Sequence, residues 1–526
     1  MILPTSDHKT IFLYGAPGTG KSTIGGELAR ELELTFADLD EIIEAKVGKT
    51  IPKIFELEGE GGFRLIEKEI LQDQIADGVG VISLGGGALL DFENRTLVEN
   101  RGEVICLYAT EETLLERLHF DSNMRPLLKK EPRQHLKELL EERRVHYDSF
   151  PLRLDTTGKS TEMLVWEIQY LLGMFRVKGM GGGYDVKVKN SGIEQLGNEM
   201  GMRQLDGPVA LVSDRNVASF YAGRVKSVLE KAGYEVHTII HPAGEENKTI
   251  RTIDKLWEGF LAAGLDRNST VVALGGGVVG DLAGFAAATY KRGIKWVVVP
   301  TTLLAMCDAS LGGKTGVDVP QGKNLIGAFH SPNLVYVDPM VLATLPLIEQ
   351  RNGMAEIIKH GIIGDPDLFN NCRWGWDWIK ESWRDIIVRA MAVKIKIIQN
   401  DPFENGERAV LNLGHTLGHA IETVTNYRIK HGEAVSIGMV LAALLAEKMG
   451  IAEPGLSSLI QTTLERFGLP ISMPDDIDLV KLLKVISQDK KRVGGTLRVV
   501  LPVRIGEVRW GVEIKADEFF KIGGRQ

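Results

Sequence analysis

The sequence predicts an α/β protein built from more than one domain, on three observations. Short β-branched runs alternate with helix-patterned segments through about the first 170 residues. The same alternation starts again after a glycine-rich stretch near residue 180. From about Leu347 helical periodicity dominates instead. Strands alternating with helices read as βαβ units on a parallel sheet. At 526 residues the chain exceeds what one core usually serves, so two to four domains are expected.

Taken in order, IFLY (11–14), VISL (81–84) and EVICLY (103–108) are the strand candidates of the first domain, and a helical stretch from Glu162 to Leu172 closes it. GMFRVKGMGGGYDVKV follows. Gly179 and Gly181 to Gly183 mark it as a linker, because clustered glycine is costly to order. VALVSD (209–214), EVHTII (235–240), TVVALGGG (270–277) and KWVVVPTT (295–302) are the next strand runs. Helical periodicity then runs to Phe467, before a short mixed tail with the strand-like LRVVLP (497–502). The expected layout is a P-loop domain with a parallel sheet over 1–174 and a linker over 175–183. A Rossmann-like α/β domain over 184–346 and a mainly α-helical, metal-binding domain over 347–526 complete it.

Composition narrows the function. A formal charge of -8 argues against a general nucleic-acid binder, which needs a basic face to neutralise phosphates. Cys106, Cys307 and Cys372 are too few and too scattered for a disulfide framework, so a reducing cytoplasm fits. The opening MILPTSDHKT lacks the basic start and apolar core of a signal peptide. The longest apolar run, Ala434 to Ala446, is interrupted by Ser436 and Gly438. It falls short of the roughly 20 residues that span a bilayer and reads as a buried helix.

Residues 15–22, GAPGTGKS, match the pattern G-x-x-x-x-G-K-S/T between a strand run and a helical run. In that context backbone N–H groups cradle phosphates, Lys21 reaches the β/γ-phosphates and the Ser22 hydroxyl ligates Mg²⁺. Gly15, Gly18, Gly20, Lys21, Ser22 and Thr23 are the ATP-binding candidates. Asp38 and Asp40 alternate after the first helix. On an extended segment both carboxylates would point the same way, one serving the metal and the other a substrate hydroxyl.

Further motifs follow in order: FADLD (36–40), GKTIPKIFELEGEGGFRLIEKE (48–69), SLGGGALL (83–90), MRPLL (124–128) and RRVHY (143–147). With the P-loop they make residues 9–172 resemble shikimate kinase. The resemblance implies that Asp38 lies near Mg²⁺ and that Asp40 holds the shikimate hydroxyls as a candidate base. It implies that Arg64 and Arg143 clamp the shikimate carboxylate, that Gly85, Gly86 and Gly87 line the ring, and that Arg125 comes from a lid to meet the ATP phosphates. A planar guanidinium fork suits a carboxylate. Two positions depart from the family pattern: Ser22 stands where threonine is frequent, and His146 where leucine is commoner before Tyr147.

In the second half, LGGGVVGD (274–281) follows a strand and opens a helix, so its glycines let backbone approach a pyrophosphate. The spacing is not the standard dinucleotide fingerprint. Glu356 and Lys359, three apart, share a helix face. Arg408, Asn412, His415 and His419 are spaced to form one polar stripe if helical. Such a stripe is costly to bury unless it does chemistry or binds metal. With a carboxylate, two of His415, His419 and His431 make a catalytic zinc set with open positions, and the spacing leaves open which two.

SDRNV (213–217), PAGEENK (242–248), LGGGVVGDLAGFAAATYKRG (274–293), VPTTLLAMCDASLGGKTGVD (299–318), GKNLIGAFHSP (322–332), MAEIIKHG (354–361), LNLGHTLGHAIE (411–422) and HGEAVSIGM (431–439) make the chain from Gly183 onward resemble 3-dehydroquinate synthase. That implies zinc or cobalt on Glu356, His415 and His431, with His419 as an acid/base or phosphate-contacting group. It implies NAD contacts at Asp214, Asn216, Glu245, Lys248, Gly275, Gly276, Gly277, Asp281, Thr301, Thr302, Asp308, Lys323 and Thr344. Substrate and catalytic contacts fall on Arg292, Lys314, Asn324, Lys359, Lys394, Arg408, Asn412 and a lysine of the Lys490–Lys491 pair, with Lys490 preferred. The implied substrate is 3-deoxy-D-arabino-heptulosonate 7-phosphate, converted by transient oxidation with bound NAD, phosphate elimination, re-reduction and ring closure. A homodimer through this half is also implied. Pro402 stands where the family usually has an acid, while Glu404 is kept.

Three functions compete: a bifunctional shikimate-pathway enzyme, a related sugar-phosphate cyclase fused to a small-molecule kinase, and a binding protein on a retired scaffold. The shikimate-type kinase in the same chain favours the first. Retention of Lys21, Asp40, Glu356, His415 and His431 weighs against the third.

Overall fold

The computed structural model describes residues 10–120, 132–179, 181–404, 406–488, 492–493 and 496–515. The chain divides into two units, Met1–Leu172 and Gly173–Gln526. In the first, five parallel strands are ordered Phe36–Asp38, Val81–Ser83, Thr10–Gly15, Gly102–Tyr108, Leu152–Asp155. Every residue of Thr10–Gly15 is buried, as befits a central parallel strand covered on both faces. Its side chains alternate between two cores. Phe12 and Tyr14 join Ile43, Phe63 and Leu71, while Ile11 and Leu13 join Ile24, Leu28 and Ile168. Its two neighbours in the sheet lie in opposite directions of strand order, so the loop after Gly15 opens at a switch point, where ligands bind in such sheets.

The second unit holds a seven-stranded sheet in the order Met174–Val177, Tyr184–Val188, Leu334–Val337, Lys295–Pro300, Thr270–Gly275, Val209–Asp214, Val236–His241. All pairs are parallel except the first. Here the expected linker over 175–183 is corrected. Met174–Val177 pairs with Tyr184–Val188 as a hairpin, with Phe175 opposite Val186. Phe175 and Val177 are buried, so the alternating pattern draws the segment into the core. The glycines make the turn instead of a tether: Gly181, Gly182 and Gly183 all have positive φ.

An antiparallel hairpin, Lys314–Val319 with Gly322–Phe329, projects from this sheet region. The rest is mainly helical, with a three-stranded sheet made by Arg492–Val493, Thr496–Arg504 and Glu507–Ile514. The apolar run 434–446 lies in the helix His431–Lys448, buried on most of its circumference. Among the described residues no helix is long and apolar enough to cross a membrane.

Candidate active sites

In the first unit the phosphate loop joins the central strand to the helix Lys21–Leu32. Gly20, in the left-handed region, precedes the helix, and no side chain caps its first N–H groups. Lys21 is buried, and its Nζ donates to the carbonyls of Gly15 at 2.9 Å and Ala16 at 3.1 Å. An uncapped helix start beside a buried ammonium fits a polyphosphate. Arg117, not anticipated from the sequence, braces the loop by donating to the carbonyls of Gly18 and Thr156.

Ser22 Oγ donates to Asp38 Oδ2 at 2.5 Å, which sets two hard oxygen ligands side by side, as a Mg²⁺ site requires. The expectation that Asp38 and Asp40 share an extended segment is corrected. Asp38 ends a strand and caps the helix Leu39–Val47, accepting from Asp40 N at 3.0 Å and Glu41 N at 3.3 Å. Aspartate is a favoured N-cap, and that preference bends the chain into helix before Asp40.

Asp40, Arg64 and Arg143 still meet, around the triple glycine. A Cβ on Gly85 would lie 3.1 Å from Asp40 Oδ1, and one on Gly87 would strike Arg64. Arg143 donates to the Gly86 carbonyl at 3.1 Å. Arg64 is held by Glu67, fully buried, at 2.6 Å. Glu67 was not anticipated either, although it lies one helical turn after Arg64. Arg125 lies outside the described residues, as does Lys490.

In the second unit the strand order reverses between Val209–Asp214 and Thr270–Gly275, which the Ser213 hydroxyl joins by donating to the Leu274 carbonyl at 2.8 Å. Asp214 caps the helix Arg215–Lys231 through Asn216 N at the mouth of that crevice. Gly276 opens the helix Gly277–Thr289 there, and a Cβ on it would press on Thr302. Thr301 Oγ1 is buried with no hydrogen-bond partner among the described residues. Tyr221 meets the Thr344 hydroxyl at 2.6 Å. Lys248 is ion-paired with Asp281, whose carboxyl burial pushes up to about 6. Lys323 pairs with Glu245 at 3.2 Å. A cleft adjoins, lined by Gly276, Gly277, Asp281, Ser310 and Lys314. Backbone glycines, a helix start and an orphaned hydroxyl fit a dinucleotide at a switch point.

Two of the expected contact residues are held by lysines. Asn324, expected at the substrate, accepts from Lys248 at 2.5 Å. Asp308, taken for a cofactor contact, accepts from Lys394 at 2.7 Å through both its carbonyl and its carboxylate. Arg292 is exposed in the turn Tyr290–Arg292 and has no side-chain partner among the described residues.

The expected stripe through Arg408, Asn412, His415 and His419 is also corrected. A 3-10 turn, Glu407–Asn412, ends before Gly414, and the helix His415–Val424 starts afresh. Gly414 has φ +76° and cannot continue a helix. A Cβ on Gly438 would lie 2.0 Å from the Gly414 carbonyl, so His431–Lys448 passes against this break backbone to backbone. That close approach brings the first residues of two helices, His415 and His431, to one point.

Both face Glu356, which is fully buried on the helix Leu347–Gly364. Its Oε1 lies 3.6 Å from His415 Nε2 and 3.4 Å from His431 Nε2. Donors on a tetrahedral zinc with bonds of 2.0–2.1 Å are spaced by about 3.4 Å. The outer ring nitrogens are occupied: His415 Nδ1 by the Leu413 carbonyl at 3.1 Å, His431 Nδ1 by Glu422 at 3.3 Å. Such partners turn Nε2 inward and fix its tautomer. Burial lowers His415 well below the usual range, favouring the neutral ligand form. Burial alone would lower His431 too, but Glu356 and Glu422 push it up to about 10, the mark of a place that wants a cation. His419 is exposed beside them, its ring 5.2 Å from that of His415.

Lys359 is ion-paired to Glu356. Arg408 donates to the Pro402 carbonyl at 2.6 Å. Glu404 takes Lys314 at 2.5 Å.

Comparison with known proteins agrees with this geometry. Models of the 3-dehydroquinate synthase N-terminal and C-terminal parts match residues 238–352 and 353–492, and the shikimate kinase model matches 17–172. A 3-dehydroquinate synthase of Nostoc punctiforme is 43% identical over 341 residues, covering 64% of this chain and 94% of the relative. The chain belongs to the 3-dehydroquinate synthase family. Its first unit is a shikimate kinase domain, and the fusion carries both activities of the shikimate pathway, each on small-molecule substrates.

Sugar-phosphate cyclases are among the solved relatives of the synthase unit. A 2-deoxy-scyllo-inosose synthase complexed with carbaglucose-6-phosphate, NAD+ and Co2+ is 25% identical with a TM-score of 0.61, covering 67% of this chain and all (100%) of that one. The 2-epi-5-epi-valiolone synthase of Streptomyces hygroscopicus, with NAD+ and Zn2+ bound, is 27% identical with a TM-score of 0.59, covering 66% and 98%. Within the synthase unit, Glu422 and His360 were not foreseen. His360, fully buried and with neither ring nitrogen hydrogen-bonded among the described residues, stands beside Asp308 at 3.7 Å.

Proposed function

We propose that the kinase unit transfers the γ-phosphoryl group of ATP to shikimate, and that the synthase unit converts 3-deoxy-D-arabino-heptulosonate 7-phosphate to 3-dehydroquinate and phosphate. In the kinase, the loop from Gly15 to Thr23 binds the nucleotide, Ser22 and Asp38 hold Mg²⁺, and Arg64 with Arg143 takes the shikimate carboxylate. Asp40 lies next to the ring-facing glycines, in reach of a substrate hydroxyl.

In the synthase, Glu356, His415 and His431 hold zinc or cobalt, and NAD lies along Asp214, Gly275 to Gly277 and Thr301. When bound, the metal supplies Lewis-acid polarisation and the dinucleotide supplies hydride exchange. The chain supplies charge and position. Lys359, Lys394 and Arg408 form a buried cationic wall suited to a carboxylate and a phosphate. Each is held in place, by Glu356, by Asp308 and by the Pro402 carbonyl. His419 stands at the exposed rim, where a proton can pass to the leaving phosphate. The convergence of Glu356, His415 and His431, whose donor atoms all lie within 4.8 Å of one another, carries this reading. A homodimeric synthase unit, a cytoplasmic location and two independently folding units remain part of it, from the family resemblance and the break at Leu172.

The test is phosphate release by the full chain from the heptulosonate phosphate and from glucose 6-phosphate, each with and without chelator and NAD. Release from the heptulosonate phosphate alone, lost on chelation, is expected. Release from the hexose phosphate would turn the assignment to the other cyclases.

A further inference from the structure

Tyr14 and His146 have no role in the chemistry above. Tyr14 is fully buried on the central strand, directly before Gly15 of the phosphate loop. His146 lies near the end of the helix Pro132–Asp148, next to Tyr147, at the position where the sequence departs from its family's pattern.

The two side chains meet. Tyr14 Oη and His146 Nε2 are 3.0 Å apart, and the same hydroxyl lies 3.3 Å from the Gly86 carbonyl. That carbonyl also accepts from Tyr147 Oη at 2.7 Å and Arg143 at 3.1 Å. A phenol carries one proton, so one arrangement serves both contacts: His146 Nε2–H donates to the Tyr14 oxygen, and Tyr14 O–H donates to Gly86. The Gly86 peptide has little room to withdraw. A Cβ there would lie 3.2 Å from the Gly15 carbonyl and 3.7 Å from Tyr147 Oη.

Three donors on one carbonyl exceed its two lone pairs. Arg143 is the donor with other N–H groups to spare. Turned toward an incoming carboxylate, it leaves the carbonyl satisfied by the two tyrosines. We propose that Tyr14 and His146 are positioning residues for the acceptor: together they hold the Gly86 carbonyl so that Arg143 is presented to the shikimate carboxylate. This rests on Arg143 being part of the carboxylate clamp.

Tyr14→Phe removes the hydroxyl and keeps the ring, which packs against Tyr147 and Phe150 at 5.5 and 5.2 Å between centroids. Kinetics of Tyr14→Phe, His146→Leu, the double variant, His146→Gln and Arg143→Ala, all in the full chain, test the proposal. Tyr14→Phe and His146→Leu are each expected to raise the KM for shikimate about fivefold, the effect of one neutral hydrogen bond. The KM for ATP, kcat and the melting temperature should stay near wild type. The double variant should match the singles, since all three break one chain of bonds, and His146→Gln, which keeps a donor, should restore the KM. An unchanged shikimate KM in Tyr14→Phe, additive single effects, or parallel losses for both substrates would overturn the proposal. If Arg143→Ala raises the KM and Tyr14→Phe does not, only the positioning role falls. If Arg143→Ala itself has no effect, the clamp is refuted and the proposal with it.

Discussion

Glu422→Gln tests how the metal set is held. Glu422 touches no substrate candidate; it accepts from His431 Nδ1 at 3.3 Å and so turns Nε2 toward Glu356. Removing such an outer partner typically weakens metal binding by about 10–100-fold, or about 1.4–2.7 kcal/mol. Two features place this case in the lower half of that range. The contact is longer than the usual ~2.9 Å, and His431 keeps a quarter of its side chain exposed, so water can partly replace the carboxylate. Gln also preserves an acceptor of the same shape. A fall of about 10–20-fold in zinc affinity is therefore expected, measured on the full chain by competition with a chromogenic chelator. Unchanged affinity in Glu422→Gln, with Glu356→Gln losing zinc in the same assay, would refute the orienting role. Unchanged affinity in both would refute the metal set.

Three further outcomes follow from the geometry. Lys21→Ala should lower shikimate phosphorylation by about 100-fold or more by removing charge from the phosphates, while phosphate release by the synthase, assayed on the same sample, stays at the wild-type rate. Gly414→Ala should destabilise the second unit by about 2–4 kcal/mol, read as a shift in its urea midpoint. The residue has positive φ, and a Cβ there would lie 2.7 Å from the Val435 carbonyl. Arg408→Lys should raise the KM for the heptulosonate phosphate about tenfold, because an ammonium cannot reach both the Pro402 carbonyl and an anion as a guanidinium fork can.

Local features of this chain were legible in its sequence and tertiary ones were not. Thr10–Gly15 and the loop after it could be read directly, since a buried parallel strand and a glycine loop each carry their own signature. Asp38 and Asp40 were recognised as a pair but placed on the wrong element, because a capping preference outweighed the extended reading. The histidine spacing pointed to a metal without saying which ring is spared. That choice depends on the break at Gly414 and on the backbone contact at Gly438, neither of which is a periodicity. The partners of Asp308 and Asn324 could not be read for the same reason: Lys394 and Lys248 lie 86 and 76 residues away. The bond from Arg408 to the Pro402 carbonyl is a main-chain contact, which a side-chain pattern cannot show.

The hairpin of Met174–Val177 on Tyr184–Val188 bears on where the two enzymes were joined. A synthase unit cut free at Gly183 would start with Tyr184–Val188 as an uncovered outer strand of the six that remain, its hydrogen-bonding groups open to any other chain. The natural cut lies before Gly173. The glycine cluster that resembles a seam is therefore internal to the downstream enzyme, and a gene split there would yield a protein prone to self-association.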